Sequence, residues 1–81
     1  MAKFTEIQVQ NVEGEIETID LSKTIGNAMY STAKDVDVCE TGKKIYYGED
    51  VELSDQSKDF IKETIQNYPY ILRKAISDIL G

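Results

Sequence analysis

The side chains that most often carry out catalysis are scarce in this sequence. It contains no histidine and one cysteine, Cys39. Without histidine there is no Ser-His or Cys-His nucleophilic pair and no imidazole metal ligand. A single cysteine can form neither an internal disulfide nor a zinc site, and a free cysteine is usually a small buried side chain. These residue types predict a protein that is not an enzyme and that uses no metal or cofactor.

Carboxylates are the remaining candidates for chemistry. Glu15 with Glu17, and Glu49 with Asp50, lie close enough in the sequence to act as paired acid and base. Such a pair needs a cleft that holds a substrate, and a chain of 81 residues has little room for one. The Asp35-x-Asp37 spacing is similar to the start of a calcium-binding loop, but the glycine and the closing glutamate of that loop are missing. We therefore interpret these acids as solvent-exposed.

The net charge of −6 is concentrated in two segments. Residues 1–20 carry one lysine against five acids, and residues 49–55 carry four acids, while the rest of the chain is nearly neutral. Such a chain is repelled by phosphate backbones and by anionic lipid headgroups. Basic and aromatic residues interleave over 43–47, as in single-stranded nucleic-acid platforms, but acids follow at once. We predict no direct contact with nucleic acid or with a membrane.

Aromatic and acidic residues come together between Lys43 and Asp55. Tyr46 and Tyr47 are adjacent, so in a helix their side chains point about 100° apart and cannot both face one core. An exposed ring with a charged rim is a common construction of protein-binding sites. The alternative is that the rings pack at the edge of the core while the acids confer solubility. We predict that a partner protein contacts Tyr46, Tyr47, Glu49, Asp50, Glu52 and Asp55, and the next candidate surface is Glu13, Glu15 and Glu17.

The N-terminal quarter has the alternating pattern of a β-hairpin. Residues 3–10 and 15–19 are the predicted strands, and Gly14 suits a left-handed position in the turn between them. The alternation breaks near Thr18, which indicates a bulge or a strand end there. Residues 49–53 form a brief extended segment that could add a third strand.

Helical periodicity covers most of the remaining chain. Gly26, inside the first helical pattern, predicts close approach of another backbone, because an interior glycine otherwise costs about 1 kcal/mol. The predicted boundary signals are Asp20 or Ser22, Asp35 and Ser54 as N-caps, Gly48 as a stop and Pro69 as a break. The predicted helices span roughly 22–33, 36–47, 55–67 and 69–80.

Together these patterns predict one α+β domain over residues 1–81. An N-terminal β-hairpin, with or without a third short strand, packs on about four short α-helices. The predicted core is apolar and is drawn from every element except the turn. It comprises Ile7, Val9, Ile16, Ile25, Met29, Val38, Ile45, Leu53, Phe60, Ile61, Ile65, Leu72, Ile76 and Ile79.

One stretch of the chain resembles a known group of sequences. Residues 20–55, and within them the run Lys44-Ile45-Tyr46-Tyr47-Gly48-Glu49-Asp50-Val51-Glu52-Leu53, are similar to small uncharacterised open reading frames of bacteriophages and integrated elements. The resemblance covers less than half of the chain and contains no catalytic motif. It implies a mobile-element protein inside a bacterial cell, in the cytoplasm.

Two classes of function agree with these observations. The first is a small regulator or inhibitor that binds a host or element-encoded protein, with nucleic-acid mimicry by the acids as one subtype. The second is a structural or assembly component that self-associates, because the strongly apolar C-terminal helix could exceed what one small core covers. The mass of the protein in solution separates the two.

Overall fold

The computed structural model describes residues 2–81. The elements follow the predicted order, so the α+β class, the N-terminal hairpin and the four helices are confirmed. They are β1 (Ile7–Gln10), β2 (Ile16–Ile19), α1 (Ser22–Thr32), α2 (Val36–Tyr46), α3 (Asp55–Thr64), a 3-10 turn (Ile65–Asn67) and α4 (Tyr70–Leu80).

The hairpin turn is built from local hydrogen bonds. The Asn11 side-chain oxygen accepts from the backbone N–H groups of Glu13 and Glu15, at 3.0 and 2.9 Å. Gly14 has a φ of +87°, the left-handed conformation predicted for it. The turn fixes the register of the two strands, because the Asn11 N–H donates to the Glu15 carbonyl oxygen. This places Asn11 opposite Glu15, next to the first pair of strand residues.

The strand register explains why one predicted core residue is wrong. The ladder is regular from Ile7 opposite Ile19 to Gln10 opposite Ile16, with no bulge at Thr18; the strand ends one residue later. Ile16 therefore shares its face with Gln10, on the side opposite Ile7, and its side chain is 63% exposed. In a strand, one step of register moves a side chain from the core to solvent.

The segment after α2 does not extend the hairpin. Within residues 2–81, Val51 forms a single antiparallel bridge with Ala2, through N–H···O contacts of 2.7 and 3.0 Å. On the N-terminal side of this bridge, the chain bends at Phe4 after Ala2. The Phe4 carbonyl oxygen accepts a hydrogen bond from the N–H of Leu21 at 2.9 Å. These bonds hold the first residues of the chain against the body of the fold and bury Phe4.

Helices α1 and α2 cross at two glycines. A Cβ atom on Gly26 would lie 2.6 Å from the Gly42 carbonyl oxygen and 2.5 Å from the Tyr46 nitrogen. A Cβ atom on Gly42 would lie 2.5 Å from the Cβ of Met29. The predicted close approach at Gly26 is therefore confirmed, and Gly42 is its counterpart on the partner helix.

Two of the predicted N-caps are confirmed, but the prediction for α1 is wrong: its N-cap is Leu21, without a side-chain cap, and neither Asp20 nor Ser22 occupies that position. Asp35 caps α2 by accepting from the Asp37 N–H at 2.8 Å, and Ser54 caps α3 by accepting from the Ser57 N–H at 3.2 Å. The third predicted helix ends as an α-helix at Thr64 and continues as the 3-10 turn. Gly48, with a φ of +80°, follows the end of α2.

Fully buried core residues come from every element except β2, whose Ile19 packs half-buried against the core. Four predicted core residues, Leu53, Phe60, Leu72 and Ile79, are half-buried at its edge. Within residues 2–81, no helix has the length and apolar character needed to cross a membrane. The buried apolar side chains are Ala2, Phe4, Ile7, Val9, Ile25, Met29, Val38, Ile45, Val51, Ile61, Ile65, Ile76 and Leu80, of which Ala2, Phe4, Val51 and Leu80 are absent from the predicted core.

Asp20, two residues before α1, is an acid whose charge is coupled to folding. Asp20 accepts from the hydroxyl of buried Ser22 at 2.6 Å and from its N–H at 2.9 Å. These two hydrogen bonds, the hydroxyl first, lower the pKa of Asp20 below its ordinary value of 3.8, and Lys23 adds to the effect. The ionised form is favoured in the folded state, so its contribution to stability is complete above the ordinary value and is lost as pH falls through the lower, folded pKa.

We expect Asp20→Asn to destabilise the protein at neutral pH and to differ less from the parent as the solution is acidified. Asparagine keeps the oxygen that accepts from Ser22 and removes only the charge. Urea unfolding of both proteins at a series of pH values measures the difference, and Asp78→Asn, an exposed acid on α4, is the control. If the difference in unfolding free energy between Asp20→Asn and the parent stayed constant down to the folded pKa of Asp20, the proposed coupling of its charge to folding would be contradicted.

Candidate functional site

Two adjacent tyrosines end helix α2 and lie at the surface. Tyr46 is 37% exposed and Tyr47 is 70% exposed, which confirms the prediction that at least one of the two faces solvent. Their rings pack edge to face, with centroids 5.3 Å apart and planes 81° apart. Edge-to-face packing is one of the two preferred geometries of an aromatic pair.

Helix α1 completes an aromatic groove around this pair. The Lys23 ammonium lies 5.1 Å from the centroid of the Tyr46 ring, within the range of a cation–π contact. Tyr30, on the same helix, is exposed as well. The resulting open depression, here called the tyrosine groove, has a volume of about 320 Å³ and is lined by Gly26, Asn27, Tyr30, Lys43, Tyr46 and Tyr47.

The spacing of glycine and tyrosine places the rings in this groove. Gly26 precedes Tyr30 by four residues in α1, and Gly42 precedes Tyr46 by four in α2. Residues four apart share a helix face, so each tyrosine lies one turn from the glycine of its own helix. The backbone of Tyr46 contacts the Gly26 position and that of Tyr30 contacts the Gly42 position, so the two helices run antiparallel and bring the tyrosines to their crossing.

Sequence reasoning missed half of the groove. The lining residues Gly26, Asn27 and Tyr30 lie on α1, distant in sequence from the predicted site, as does Lys23 against the Tyr46 ring. The available signal was the repeated Gly-x-x-x-Tyr spacing, together with the expectation that a second backbone approaches Gly26.

The predicted acidic residues lie on the segment that leaves the groove. Glu49, Asp50 and Glu52 are exposed, while Val51 between them is buried and bonded to Ala2. Asp55 is exposed in the first turn of α3, where a negative charge is favoured by the helix dipole. Within the described residues, none of the four acids lines the tyrosine groove, so the predicted site forms two adjoining parts. We call Glu49, Asp50, Glu52 and Asp55 the acidic segment.

The groove is lined by aromatic, ammonium and amide groups. In residues 2–81, no three carboxylate or thiol side chains are grouped so that they could hold a metal ion. Cys39 is half-buried, and its thiol contacts the carbonyl oxygen of Ala33 at 3.2 Å, away from the groove. The groove itself contains three aromatic rings, the Lys43 ammonium and the Asn27 amide, and the Lys23 ammonium lies against one of the rings.

Comparisons with protein-family models, with curated proteins and with solved structures found no match. The function is therefore inferred from the residues of the groove and of the acidic segment.

Proposed function

We propose that this chain is a small, acidic, non-catalytic protein-binding module, which acts as a regulator or inhibitor of a host or mobile-element protein. The observation that carries the proposal is the cluster of exposed tyrosines around one groove. Tyrosine is enriched among the residues that dominate binding energy, because it buries a large area with few rotatable bonds. The acidic segment beside it provides steering and specificity.

The packing of the rings supports this function energetically. A flexible surface side chain loses conformational entropy when it is immobilised at an interface. Tyr46 already packs against Tyr47 and against the Lys23 ammonium. Part of that entropy is therefore lost on folding, and less remains to be lost on binding.

The charges around the groove define the partner surface that would fit. Lys23 and Lys43 lie at the rings, whereas the acidic segment lies beyond them. A complementary partner would insert an apolar or aromatic side chain near acceptors and would place basic side chains opposite Glu49 and Asp50. A basic groove that normally holds nucleic acid is one such surface, in which case the acids would act as phosphate mimics. We propose no direct contact of this chain with nucleic acid or with a membrane.

A self-associating assembly component is the second candidate, and one observation favours it. Tyr70 and Ile71, in the first turn of α4, remain exposed, so part of the apolar C-terminal helix is not covered by the core. Light scattering over a range of concentrations distinguishes the two candidates. A monomer supports the binding module, and a defined oligomer supports the assembly component.

The binding module is tested by capture from a bacterial lysate, with the immobilised protein as bait and mass spectrometry as readout. Once a partner is identified, the double variant Glu49→Lys with Asp50→Lys tests the acidic segment. We expect its association rate at low salt to fall by about tenfold and to depend less on salt, because steering by the segment is removed.

The matched control makes the same change of charge on another surface. Asp59 and Glu63 are exposed on α3, four residues apart, and outside the predicted site. If the double variant Asp59→Lys with Glu63→Lys slows association as much as Glu49→Lys with Asp50→Lys, the association rate depends on the net charge of the protein rather than on the acidic segment.

A further inference from the structure

The outer edge of strand β2 presents backbone groups that form no bond within the sheet. In residues 2–81 the sheet has two strands, and β2 is bonded to β1 along one edge. The N–H of Asn11 donates to the Glu15 carbonyl oxygen at 2.9 Å, so this pair is a hydrogen-bonded one. Because hydrogen-bonded and non-hydrogen-bonded pairs alternate in an antiparallel ladder, Ile16 and Thr18 direct their N–H and C=O groups away from β1.

One face beside this edge carries an exposed apolar side chain among polar ones, since Ile16 shares it with Gln8 and Gln10. Ile16 is 63% exposed, and Tyr70 and Ile71 of α4 are 66% and 47% exposed. The three side chains line one groove of about 420 Å³ between the hairpin and α4. A strand added to β2 would place every second side chain on this face.

The opposite face beside the edge is acidic. Glu15 and Glu17 alternate with Ile16 along the chain, and both are exposed. The other side chains of an added strand would lie next to these two carboxylates. Opposite charges on neighbouring strands stabilise a sheet, and like charges destabilise it.

We propose that the outer edge of β2 binds an extended segment of a partner protein in which apolar residues alternate with lysine or arginine. The backbone of that segment bonds to Ile16 and Thr18, its apolar side chains pack on Ile16 at the rim of the groove that Ile16 shares with Tyr70 and Ile71, and its basic side chains pair with Glu15 and Glu17. This is strand addition to an exposed sheet edge. A second copy of the chain fits less well, because its β2 would bring the same two glutamates against these. The proposal uses a different surface from the tyrosine groove and does not depend on it.

A short peptide tests the backbone part of the proposal. The probe is a dye-labelled hexapeptide of alternating lysine and valine, and fluorescence anisotropy measures its binding to the full chain. We expect binding that weakens with salt, and an affinity lower by about tenfold for the peptide N-methylated on the amides of one edge, since these can no longer donate to β2. We expect no binding of a peptide of alternating glutamate and valine. Equal binding of the N-methylated peptide, or of the glutamate peptide, would overturn the proposal.

Two variants with the same change of net charge locate the site. Glu15→Lys with Glu17→Lys is expected to abolish binding of the lysine–valine peptide, whereas Glu49→Lys with Asp50→Lys is expected to retain it. In an amide spectrum of the parent, the largest shifts should fall on Ile16 and Thr18. Equal loss in both variants, or the largest shifts at Tyr46 and Tyr47, would show charge-driven or groove binding and would overturn strand addition. A concentration-dependent dimer that excludes the peptide would assign the edge to a second copy instead.

Discussion

Replacing Phe4 with alanine is expected to lower the free energy of unfolding by about 3 to 5 kcal/mol. The Phe4 side chain is fully enclosed, and its removal leaves a cavity under the N-terminal segment. A chain of this length has a total stability of about 4 to 12 kcal/mol, so the variant loses a large share of it. Chemical denaturation followed by far-UV circular dichroism measures the change in unfolding free energy. If the variant lacks the folded signal even without denaturant, the loss equals or exceeds the whole stability of the parent.

Val12→Ala is the control for this substitution. Val12 is an apolar residue in the hairpin turn and is fully exposed, so its truncation should change stability by no more than about 0.5 kcal/mol. Similar unfolding midpoints for the two variants would mean that the segment holding Ala2 and Phe4 is not docked on the core.

The second large effect is expected from Gly26→Ala. An added methyl group would meet the backbone of α2 rather than a side chain that could move, so the two helices must separate. Overpacking of this kind costs about 1 to 3 kcal/mol and sometimes more, and the better helix propensity of alanine returns about 1 kcal/mol. Because the contacts at Gly26 are backbone atoms that cannot move aside, we expect the upper end of the resulting range, a net loss of about 2 kcal/mol in the free energy of unfolding, together with a change in the tyrosine groove above the crossing.

Two further variants separate helix crossing from helix propensity. Thr24→Ala, at an exposed position of the same helix, should be neutral or slightly stabilising. Gly42→Ala should resemble Gly26→Ala, and the double variant should lose less than the sum, because one displacement of the helices relieves both clashes. Strict additivity of the two glycine variants would contradict a shared crossing point.

Local signals in the sequence predicted most of the fold. Asp35 and Ser54 cap the helices that they were expected to cap, and Gly14 occupies the left-handed turn position. Each of these depends on hydrogen bonds or backbone geometry within a few residues. The alternation of apolar residues wrongly predicted Ile16 in the core. The face on which its side chain lies depends on which residue of the neighbouring strand is opposite, and that residue is Gln10. The alternation also failed for Phe4, because the bend that buries it is fixed by a bond to Leu21.

The candidate site was predicted to the extent that it is local. Adjacent tyrosines at the end of a helix cannot both face one core, and the exposure of Tyr47 follows from that geometry. The participation of Tyr30 and Lys23 could not be obtained in this way, because it depends on the α1–α2 crossing. A long-range contact of this kind becomes predictable only when the two glycines are recognised as partners.

The central claim, that the tyrosine groove binds a partner protein, is tested most directly by comparing two surface variants as baits for the captured partner. Tyr47 and Val36 are similarly exposed, at 70% and 73%, but lie at opposite ends of α2. Tyr47→Ala is expected to weaken the measured affinity by more than about 1 kcal/mol, with an unfolding midpoint close to that of the parent, while Val36→Ala should bind as the parent does. Unchanged affinity in Tyr47→Ala, or a loss confined to Val36→Ala, would contradict the claim and place the binding surface elsewhere.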